Sequence, residues 1–226
     1  MLSTKTLDSD VLAYAHAQNL ELKCRDFIET KALLFDLTKV NPESFDAIAF
    51  TSPNAVKYFF ESEKANSLIQ GKRVFGLQGK TKDDLLAHGL NPDITATSAG
   101  ELANTVISDK SNKGLLHVCG NNTLPVLKEK LEGAGIVYHE LPVYQTTIKS
   151  NQKVNESFDA ILFFSPSGVE SFLTENNFAD ETVCCCIGKT TAQALRERKN
   201  GANIILPDEP SPLAMLKAVA THINNN

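Results

Sequence analysis

One segment of the chain occurs twice, and this repeat constrains the fold more than any other feature of the sequence. The stretch FDAIAFTSPNAVKYFF occupies residues 45–60, and FDAILFFSPSGVESFL occupies residues 158–173. Each copy joins a short apolar run to a Ser-Pro pair and then to apolar residues at helical spacing. Self-similarity at this distance predicts that the chain contains two copies of one structural unit.

The similarity continues beyond these two stretches, which indicates the fold class. RVFGLQGKTKDDLLAHG (73–89) resembles VCCCIGKTTAQALRERKNG (183–201), and TSAGELANTVI (97–107) resembles PSPLAMLKAV (210–219). The continuous apolar runs AIAF and AILFF are typical of strands buried on both faces of a parallel sheet. Strands that alternate with helices therefore predict an α/β protein, with two similar doubly wound parallel-sheet domains joined by a two-stranded linker.

Small hydroxyl side chains mark the predicted helix starts. Ser52 and Ser165 each precede a proline, which indicates an N-cap followed by proline at the first helical position. Ser98 with Glu101 fits a capping box. Ser211, which precedes Pro212, is a further predicted cap.

The segments outside the repeat predict a discontinuous first domain. Residues 1–32 read as a strand, a helix and a strand, which is too short to form a domain alone. The extended segments 31–38 and 139–147 show no helical pattern. We expect a discontinuous first domain at 1–32 plus 148–226 and a second domain inserted at 39–139. Two linkers, at 33–38 and 140–147, would join them. Two consecutive domains divided near residue 150 remain the alternative.

Charge and hydropathy exclude several classes of partner. The formal net charge is −5 and no basic cluster stands out, which disfavours a nucleic-acid surface. No apolar run reaches the length of a membrane-spanning helix. The first residues lack the basic start and apolar core of a signal peptide, so the expected location is the cytoplasm.

The metal-ligating residue types show no ligand spacing. The five cysteines are odd in number and three are adjacent, at 184–186, so neither a disulfide framework nor a zinc site is indicated. We expect buried, reduced thiols in strands. The five histidines are scattered, and the sequence predicts no metal and no cofactor.

The turns that follow the predicted strands share one chemistry. Each combines a small hydroxyl or amide side chain with the first backbone N–H groups of a helix, and that combination binds anions. At any single turn, a helix cap without a ligand is the alternative interpretation. The turns are Thr51-Ser52, Gly79-Lys80-Thr81, Gly120-Asn121-Asn122, Ser165-Pro166-Ser167 and Gly188-Lys189-Thr190-Thr191.

Two further motifs bear on catalysis. A nucleotide-binding P-loop needs glycine five residues before the GK glycine, but Val74 and Val183 stand there. Neither GxGxxG nor a Ser-His-Asp arrangement is present. Tyr144, in LPVYQTT, is the candidate for a weak acid, and a tyrosine that only packs in a strand is the alternative.

The motifs FTSPNAV, CGN, LPVYQT, FFSPSGV and IGKTTAQAL, in this order, resemble those of the uroporphyrinogen-III synthases. The resemblance implies two α/β domains joined by a two-stranded linker, with a discontinuous first domain. It also implies a cofactor-free activity, in which linear hydroxymethylbilane loses water, inverts ring D through a spiro intermediate and closes to uroporphyrinogen III. That substrate carries eight carboxylates, which suits a cleft lined by helix N-termini.

The resemblance also implies roles for single residues. The linker tyrosine of the family falls on Tyr144 as the acid that assists departure of the hydroxyl. Two positions depart from the family pattern: Lys5 stands nearest to an early arginine, and no charge follows CGN until Lys128. The implied substrate-binding residues are Thr51, Ser52, Thr81, Cys119, Gly120, Asn121, Ser165, Ser167, Thr190 and Thr191.

Expected partners follow from the same resemblance. We expect a monomer that binds a linear tetrapyrrole and makes at most transient contact with the preceding enzyme of the pathway. Two alternatives remain: a two-domain protein that binds a polyanionic small molecule without chemistry, and a homologue that has lost activity and serves as an interaction module.

Overall fold

The computed structural model describes residues 1–36, 40–62 and 65–224, and none of the helices in those ranges is long and apolar enough to span a membrane. The chain forms two compact units. Unit 1 comprises Met1–Glu29 and Thr147–Asn226, and unit 2 comprises Thr30–Thr146. Residues 37 and 38 of the predicted first linker, and residue 39 at the predicted start of the second domain, lie outside the described residues.

Unit 1 is a five-stranded sheet with helices between its strands. The strands run in the order β11-β10-β9-β1-β2, and every neighbouring pair is parallel. Apolar clusters cover both faces of this sheet. Its elements are β1 (Leu2–Ser3), α1 (Ser9–Ala17), β2 (Lys23–Cys24), β9 (Ala160–Phe163), α7 (Pro166–Glu175), β10 (Val183–Cys186), α8 (Lys189–Arg198), β11 (Asn203–Ile205) and α9 (Pro212–Asn224).

Unit 2 is built in the same way. Its strands run in the order β8-β7-β4-β5-β6, all parallel, and β3 (Ile28–Ala32) adjoins β8 at the edge. The chain enters the unit along β3 and leaves it along β8. The other elements are a 3-10 turn (Pro42–Ser44), β4 (Ala47–Phe50), α2 (Pro53–Phe60), α3 (Ala65–Ile69), β5 (Arg73–Leu77), α4 (Lys80–Ala87), β6 (Ile94–Ala96), α5 (Ala99–Ser108), β7 (Gly114–Gly120), α6 (Val126–Gly133) and β8 (Val137–Ile148).

The separate sheets of the two units have the same strand arrangement, with the corresponding strands in cyclically permuted order along the chain. In the sequence repeat, β4 corresponds to β9. The strand orders then show that β7 corresponds to β1 and β8 to β2. Unit 2 reaches its β7-α6-β8 segment last along the chain, whereas unit 1 begins with the corresponding β1-α1-β2 segment. The predicted fold class, two similar parallel α/β domains, is confirmed.

The repeated apolar runs form the central strands. Every residue of β4 and of β9 is buried, as expected for a strand covered by helices on both faces. Burial of such aliphatic and aromatic side chains stabilises a fold by roughly 1.5–3 kcal/mol for each large side chain. The repeated apolar runs therefore form the hydrophobic cores of the two units.

The predicted helix caps are present. Ser52 accepts a hydrogen bond from the Asn54 amide at 3.2 Å, and Ser211 accepts one from Ala214 at 3.2 Å. Ser98 accepts from the Glu101 amide at 3.2 Å. The Glu101 carboxylate accepts from the Thr97 amide at 2.7 Å, so this capping box closes one residue earlier than the standard pattern.

The cysteine prediction is correct for four residues and wrong for one. Burial raises the pKa of the Cys119 thiol to about 11 and those of the three adjacent cysteines, 184–186, to about 12. Such thiols remain protonated and unreactive. Cys24 is exposed instead, because β2 is a short strand at the edge of its sheet.

Candidate functional site

Each sheet has one point at which the strand order reverses direction. In unit 1 that point lies between β1 and β9, and in unit 2 it lies between β7 and β4. Ligands of open parallel sheets bind outside the carboxyl ends of the strands at this switch point. The topology thus selects the turns after these four strands as the candidate functional surfaces of the two units.

In unit 2 the switch point is occupied by two polar side chains in contact. Ser52 caps α2, and its Oγ lies 3.1 Å from the hydroxyl of Tyr144 on β8. The turn after β7 adjoins them, because the Asn121 amide donates to the Tyr144 carbonyl at 3.0 Å. The Asn121 side chain in turn accepts from the Thr146 amide at 2.9 Å. Residues from three consecutive strands in the sheet therefore meet at one point.

The Tyr144 ring is held between an aromatic ring and a glycine. Tyr58 stacks on it with ring centroids 5.6 Å apart and planes 24° from parallel. The Tyr58 hydroxyl is itself fixed, since it donates to the Thr30 carbonyl at 2.7 Å. On Gly120, an added Cβ would lie 2.6 Å from Cζ of Tyr144. Only glycine leaves room for the ring at this position.

A β-bulge brings Tyr144 opposite Gly120. Along β7 and β8 the register advances one residue at a time up to Cys119 and Pro142, and then Gly120 pairs with Tyr144. The extra residue, Val143, is buried in the core. Bulges of this kind redirect a side chain near a functional site.

The surroundings keep the Tyr144 hydroxyl protonated. Burial is the larger influence and raises the pKa of Tyr144, while the hydrogen bond with Ser52 opposes the shift. A neutral phenol can donate a hydrogen bond to a leaving oxygen and, unlike a phenolate, carries no charge that would repel a carboxylate ligand.

A second polar chain runs through unit 2 from its surface to the same turn. Thr51 Oγ1 lies 2.8 Å from Nε2 of His117, and Nδ1 of His117 lies 2.7 Å from the Tyr138 hydroxyl. That hydroxyl donates to Glu140 at 3.1 Å. His117 and Tyr138 are not among the site residues predicted from the sequence. A single histidine inside the otherwise apolar strand GLLHVCG was the available signal.

The switch point of unit 1 is lined differently. The backbone amide and the hydroxyl of Thr4 both donate to the Leu162 carbonyl, at 3.1 and 2.7 Å. Ser165 caps α7 by accepting from the Gly168 amide at 3.0 Å. Lys5 Nζ lies 4.8 Å from the centre of the Phe164 ring. Thr4 was also missed, although β1 corresponds to β7 once the permutation is recognised.

The GK turns follow the next strand of each sheet and leave more donors for a ligand. Gly79 caps α4 and Gly188 caps α8, and neither can supply a side-chain acceptor. At the Ser-Pro starts, by contrast, proline has no N–H and serine already accepts one amide. The first-turn N–H groups of α4 and α8 are therefore the better anion donors.

The structure places the predicted site residues in two sets. In unit 2, Thr51, Ser52, Cys119, Gly120, Asn121 and Tyr144 lie together at the switch point, and Thr81 begins the helix after the neighbouring strand β5. In unit 1, Ser165 and Ser167 begin α7, while Thr190 and Thr191 begin α8. Thr81 and Thr191 are buried at 4% and 3% exposure, so they pack at the helix start, whereas Thr190 is exposed.

Comparisons with known proteins agree with this architecture. The family model described as "Uroporphyrinogen-III synthase HemD" matches residues 21–217. A curated uroporphyrinogen-III synthase from Chlorobaculum parvum is 28% identical and covers 82% of this chain and 80% of its own.

Solved structures share the fold. The uroporphyrinogen-III synthetase of Helicobacter pylori aligns with a TM-score of 0.70 at 21% identity, covering 98% of both chains. A mutant uroporphyrinogen III synthase of Thermus thermophilus aligns with a TM-score of 0.67 at 15% identity, covering 100% of this chain and 99% of its own. Together with the family match, which extends over most of the sequence, these findings lead to one conclusion: the chain belongs to the uroporphyrinogen-III synthase family.

Proposed function

We propose that this chain is a cyclising lyase that converts hydroxymethylbilane to uroporphyrinogen III with loss of water and inversion of ring D, as in tetrapyrrole biosynthesis. Family membership supports the reaction, and the non-catalytic alternatives are disfavoured by it. The observation that supports the mechanism is the position of Tyr144, whose hydroxyl lies 3.1 Å from Oγ of Ser52 at the switch point of unit 2.

Tyr144 is the proposed acid for the first step. The terminal hydroxyl of the substrate leaves as water, which requires a proton or a strong hydrogen bond to that oxygen. The raised pKa of Tyr144 keeps its proton in place, so the phenol acts as a hydrogen-bond donor to the departing oxygen. Tyr144 passes this proton to the hydroxyl, which leaves as water, and the remaining cation is delocalised over the pyrrole. The proton that ring D loses when the macrocycle closes restores the phenol.

The remaining task of the protein is positioning. The substituted carbon of ring D must attack that cation to give the spiro intermediate, whereas direct closure at the unsubstituted carbon gives uroporphyrinogen I. Holding the linear tetrapyrrole so that the substituted carbon of ring D is aligned for attack can raise the rate by several orders of magnitude. The protein therefore controls which isomer forms more than whether the ring closes.

The substrate carboxylates are the proposed ligands of the strand-end turns. First-turn amides of α4 and α8 supply donors without side-chain charge, with the positive ends of the helix dipoles behind them. We propose Ser52, Thr81, Cys119, Gly120 and Asn121 in unit 2, and Ser165, Ser167, Thr190 and Thr191 in unit 1, as the residues that line these turns. No metal or cofactor enters the proposed chemistry.

The working form and the compartment are also part of the proposal. Each unit supplies its own strand-end turns, so one chain contains both sets, and we propose a monomer. Five free cysteines fit a reducing compartment, which supports the cytoplasm.

An isomer assay tests the function. Freshly generated hydroxymethylbilane is incubated with the protein, and uroporphyrinogens I and III are separated after oxidation. We expect type III to dominate at a rate above that of spontaneous closure. Type I alone, formed at the rate seen with heat-denatured protein, would refute the proposed reaction.

A further inference from the structure

A hydrogen-bonded series of four side chains ends on Thr51. Its four members lie within unit 2: Glu140 is exposed, Tyr138 is half-buried, His117 is 2% exposed and Thr51 is half-buried at the end of β4. The corresponding positions of unit 1 are Ser3 in place of His117 and Phe164 in place of Thr51. Unit 1 therefore lacks these hydrogen bonds at the corresponding positions of its sheet.

The direction of each hydrogen bond in this chain follows from its exposed end. A carboxylate only accepts, and the Tyr138 hydroxyl donates its one hydrogen to Glu140. The Tyr138 oxygen must then accept at its 2.7 Å contact with His117, which places the imidazole hydrogen on Nδ1. A neutral imidazole with that tautomer has an acceptor at Nε2, so Thr51 must donate across the 2.8 Å contact.

Burial favours the neutral states of His117 and Tyr138. It lowers the pKa of His117 to about 4, and it raises the pKa of Tyr138, with the Glu140 charge contributing. Neither group is ionised near neutral pH. The chain of donors and acceptors is then complete, with each shared hydrogen assigned to one atom.

This order leaves the Thr51 hydroxyl with lone pairs only. A hydroxyl carries one hydrogen, and that of Thr51 is directed to His117. Thr51 therefore has no hydrogen to donate to a carboxylate. The sequence, in contrast, suggests that Thr51 belongs to an anion-binding turn. A ligand group that meets Thr51 must bring its own hydrogen.

We propose that His117 is a positioning residue that fixes Thr51 as a hydrogen-bond acceptor, and that Thr51 receives an N–H group of the linear tetrapyrrole. The identity of the ligand rests on the proposed function, whereas the tautomer of His117 does not. Thr51 then recognises the pyrrole backbone of the substrate, and the helix starts recognise its carboxylates.

Nuclear magnetic resonance tests the tautomer without any substrate. Long-range ¹H–¹⁵N correlations on protein labelled at histidine distinguish Nδ1–H from Nε2–H, and His117→Gln assigns the signal among the five histidines. We expect the Nδ1–H tautomer at pH 7. An Nε2–H tautomer or an imidazolium would overturn the inference, because Thr51 would then accept from His117.

Kinetics test the consequence for the ligand. Thr51→Val removes the acceptor with little change in shape, and Tyr138→Phe removes the group that holds the hydrogen on Nδ1. We expect each to raise KM about tenfold, the effect of one hydrogen bond, with kcat within about threefold. The double variant should be no worse than either single one, because both changes act through the same atom.

Controls separate this inference from the proposed function and from misfolding. Thr174→Val makes the same substitution on the exposed surface of α7 and should leave KM unchanged. Circular dichroism checks that each variant is folded. If the wild type makes type III but KM is unaffected in Thr51→Val, the inference falls alone. If the wild type makes no type III, the proposed reaction falls, and the tautomer still decides the role of His117.

Discussion

The two units have the same sheet, yet they differ at the point where a ligand would bind. Each has five parallel strands in one spatial order, with the reversal between corresponding strands. In unit 2 the strand beyond β7, β8, has 12 residues and carries Tyr144 just after a bulge, opposite Gly120. In unit 1 its counterpart, β2, has two residues and ends at Cys24. The candidate acid thus has no equivalent position in unit 1.

The difference extends to the residues after the central strands. Thr51 joins a buried polar chain, whereas Phe164 packs beneath Lys5. Both units retain a glycine-capped helix, which is the feature suited to anions. The comparison teaches that both units keep the glycine-capped helix proposed to bind carboxylates, while the proposed acid and the proposed pyrrole contact belong to unit 2 alone.

The largest effect should come from Gly120→Ala. The new Cβ would lie 2.6 Å from the Tyr144 ring, so the ring must move. A displacement of about 1 Å costs about 100-fold in rate, and we expect kcat to fall at least that far. Overpacking should also lower the free energy of unfolding by about 1–3 kcal/mol, measured by urea denaturation.

A glycine with free space provides the matched control. Gly133 ends α6, and among the described residues no atom beyond its own helix backbone lies within 4 Å of an added Cβ. Gly133→Ala should therefore leave kcat unchanged and stabilise the protein slightly. Equal losses of activity in the two variants would contradict the proposed role of the Gly120–Tyr144 contact.

Tyr144→Phe tests the acid with less disturbance. The substitution removes the hydroxyl and keeps the ring stacked on Tyr58, so the fold should be intact. We expect kcat to fall about 100-fold, the lower end of the range for general acid catalysis, with KM nearly unchanged. Wild-type turnover in this variant would remove Tyr144 from the acid role.

The stability of the protein should respond to pH through His117. Its pKa is lowered to about 4 in the folded chain from 6.5, so the unfolded chain binds the proton more readily. The stabilising contribution is complete above pH 6.5, declines as the pH falls toward 4, and is constant below that value. Between pH 7 and pH 5 the loss is about 2 kcal/mol.

The variant His117→Gln isolates this contribution. Over the same pH range it should lose about 2 kcal/mol less than the wild type, measured as free energy of unfolding in urea at each pH. Unit 1 has Ser3 at the equivalent position, so a transition assigned to unit 1 should not respond. Identical pH dependence in the two proteins would show that His117 is not held neutral by burial.

The smallest effect distinguishes the two GK turns. Gly79 has φ of 73° and ψ of −142°, a conformation that side chains disfavour, whereas Gly188 is extended at φ of −173°. Gly79→Ala should cost about 1–2 kcal/mol in the free energy of unfolding, and Gly188→Ala less than about 0.5 kcal/mol. Losses of the same size would mean that the two turns are not conformationally different.

The sequence was sufficient to predict the elements that depend on local chemistry. AIAF and AILFF are strands, and Ser52, Ser98, Ser165 and Ser211 are caps, because apolar runs and short hydroxyl side chains act over a few residues. The structural role of Asp46, in the repeated segment FDAI, could not be predicted from such local patterns. Asp46 accepts from the amides of Lys113 and Gly114 at 2.9 and 3.2 Å, across 67 and 68 residues of chain.

The site was predicted in composition but not in arrangement. Tyr144 and Gly120 were both named, yet no spacing rule reveals that one ring lies against the other, because a bulge places them together. His117 was dismissed with the scattered histidines, since its partners Thr51 and Tyr138 come from neighbouring strands. Contacts made between strands depend on register, which only the folded sheet determines.

The isomer ratio is the most direct test of the central claim, that this chain steers ring closure. Wild-type protein and fresh hydroxymethylbilane should give uroporphyrinogen III in large excess over type I. Tyr144→Phe should form type III more slowly while heat-denatured protein forms only type I. A wild-type product that is type I throughout, at the rate of the denatured control, would contradict the account.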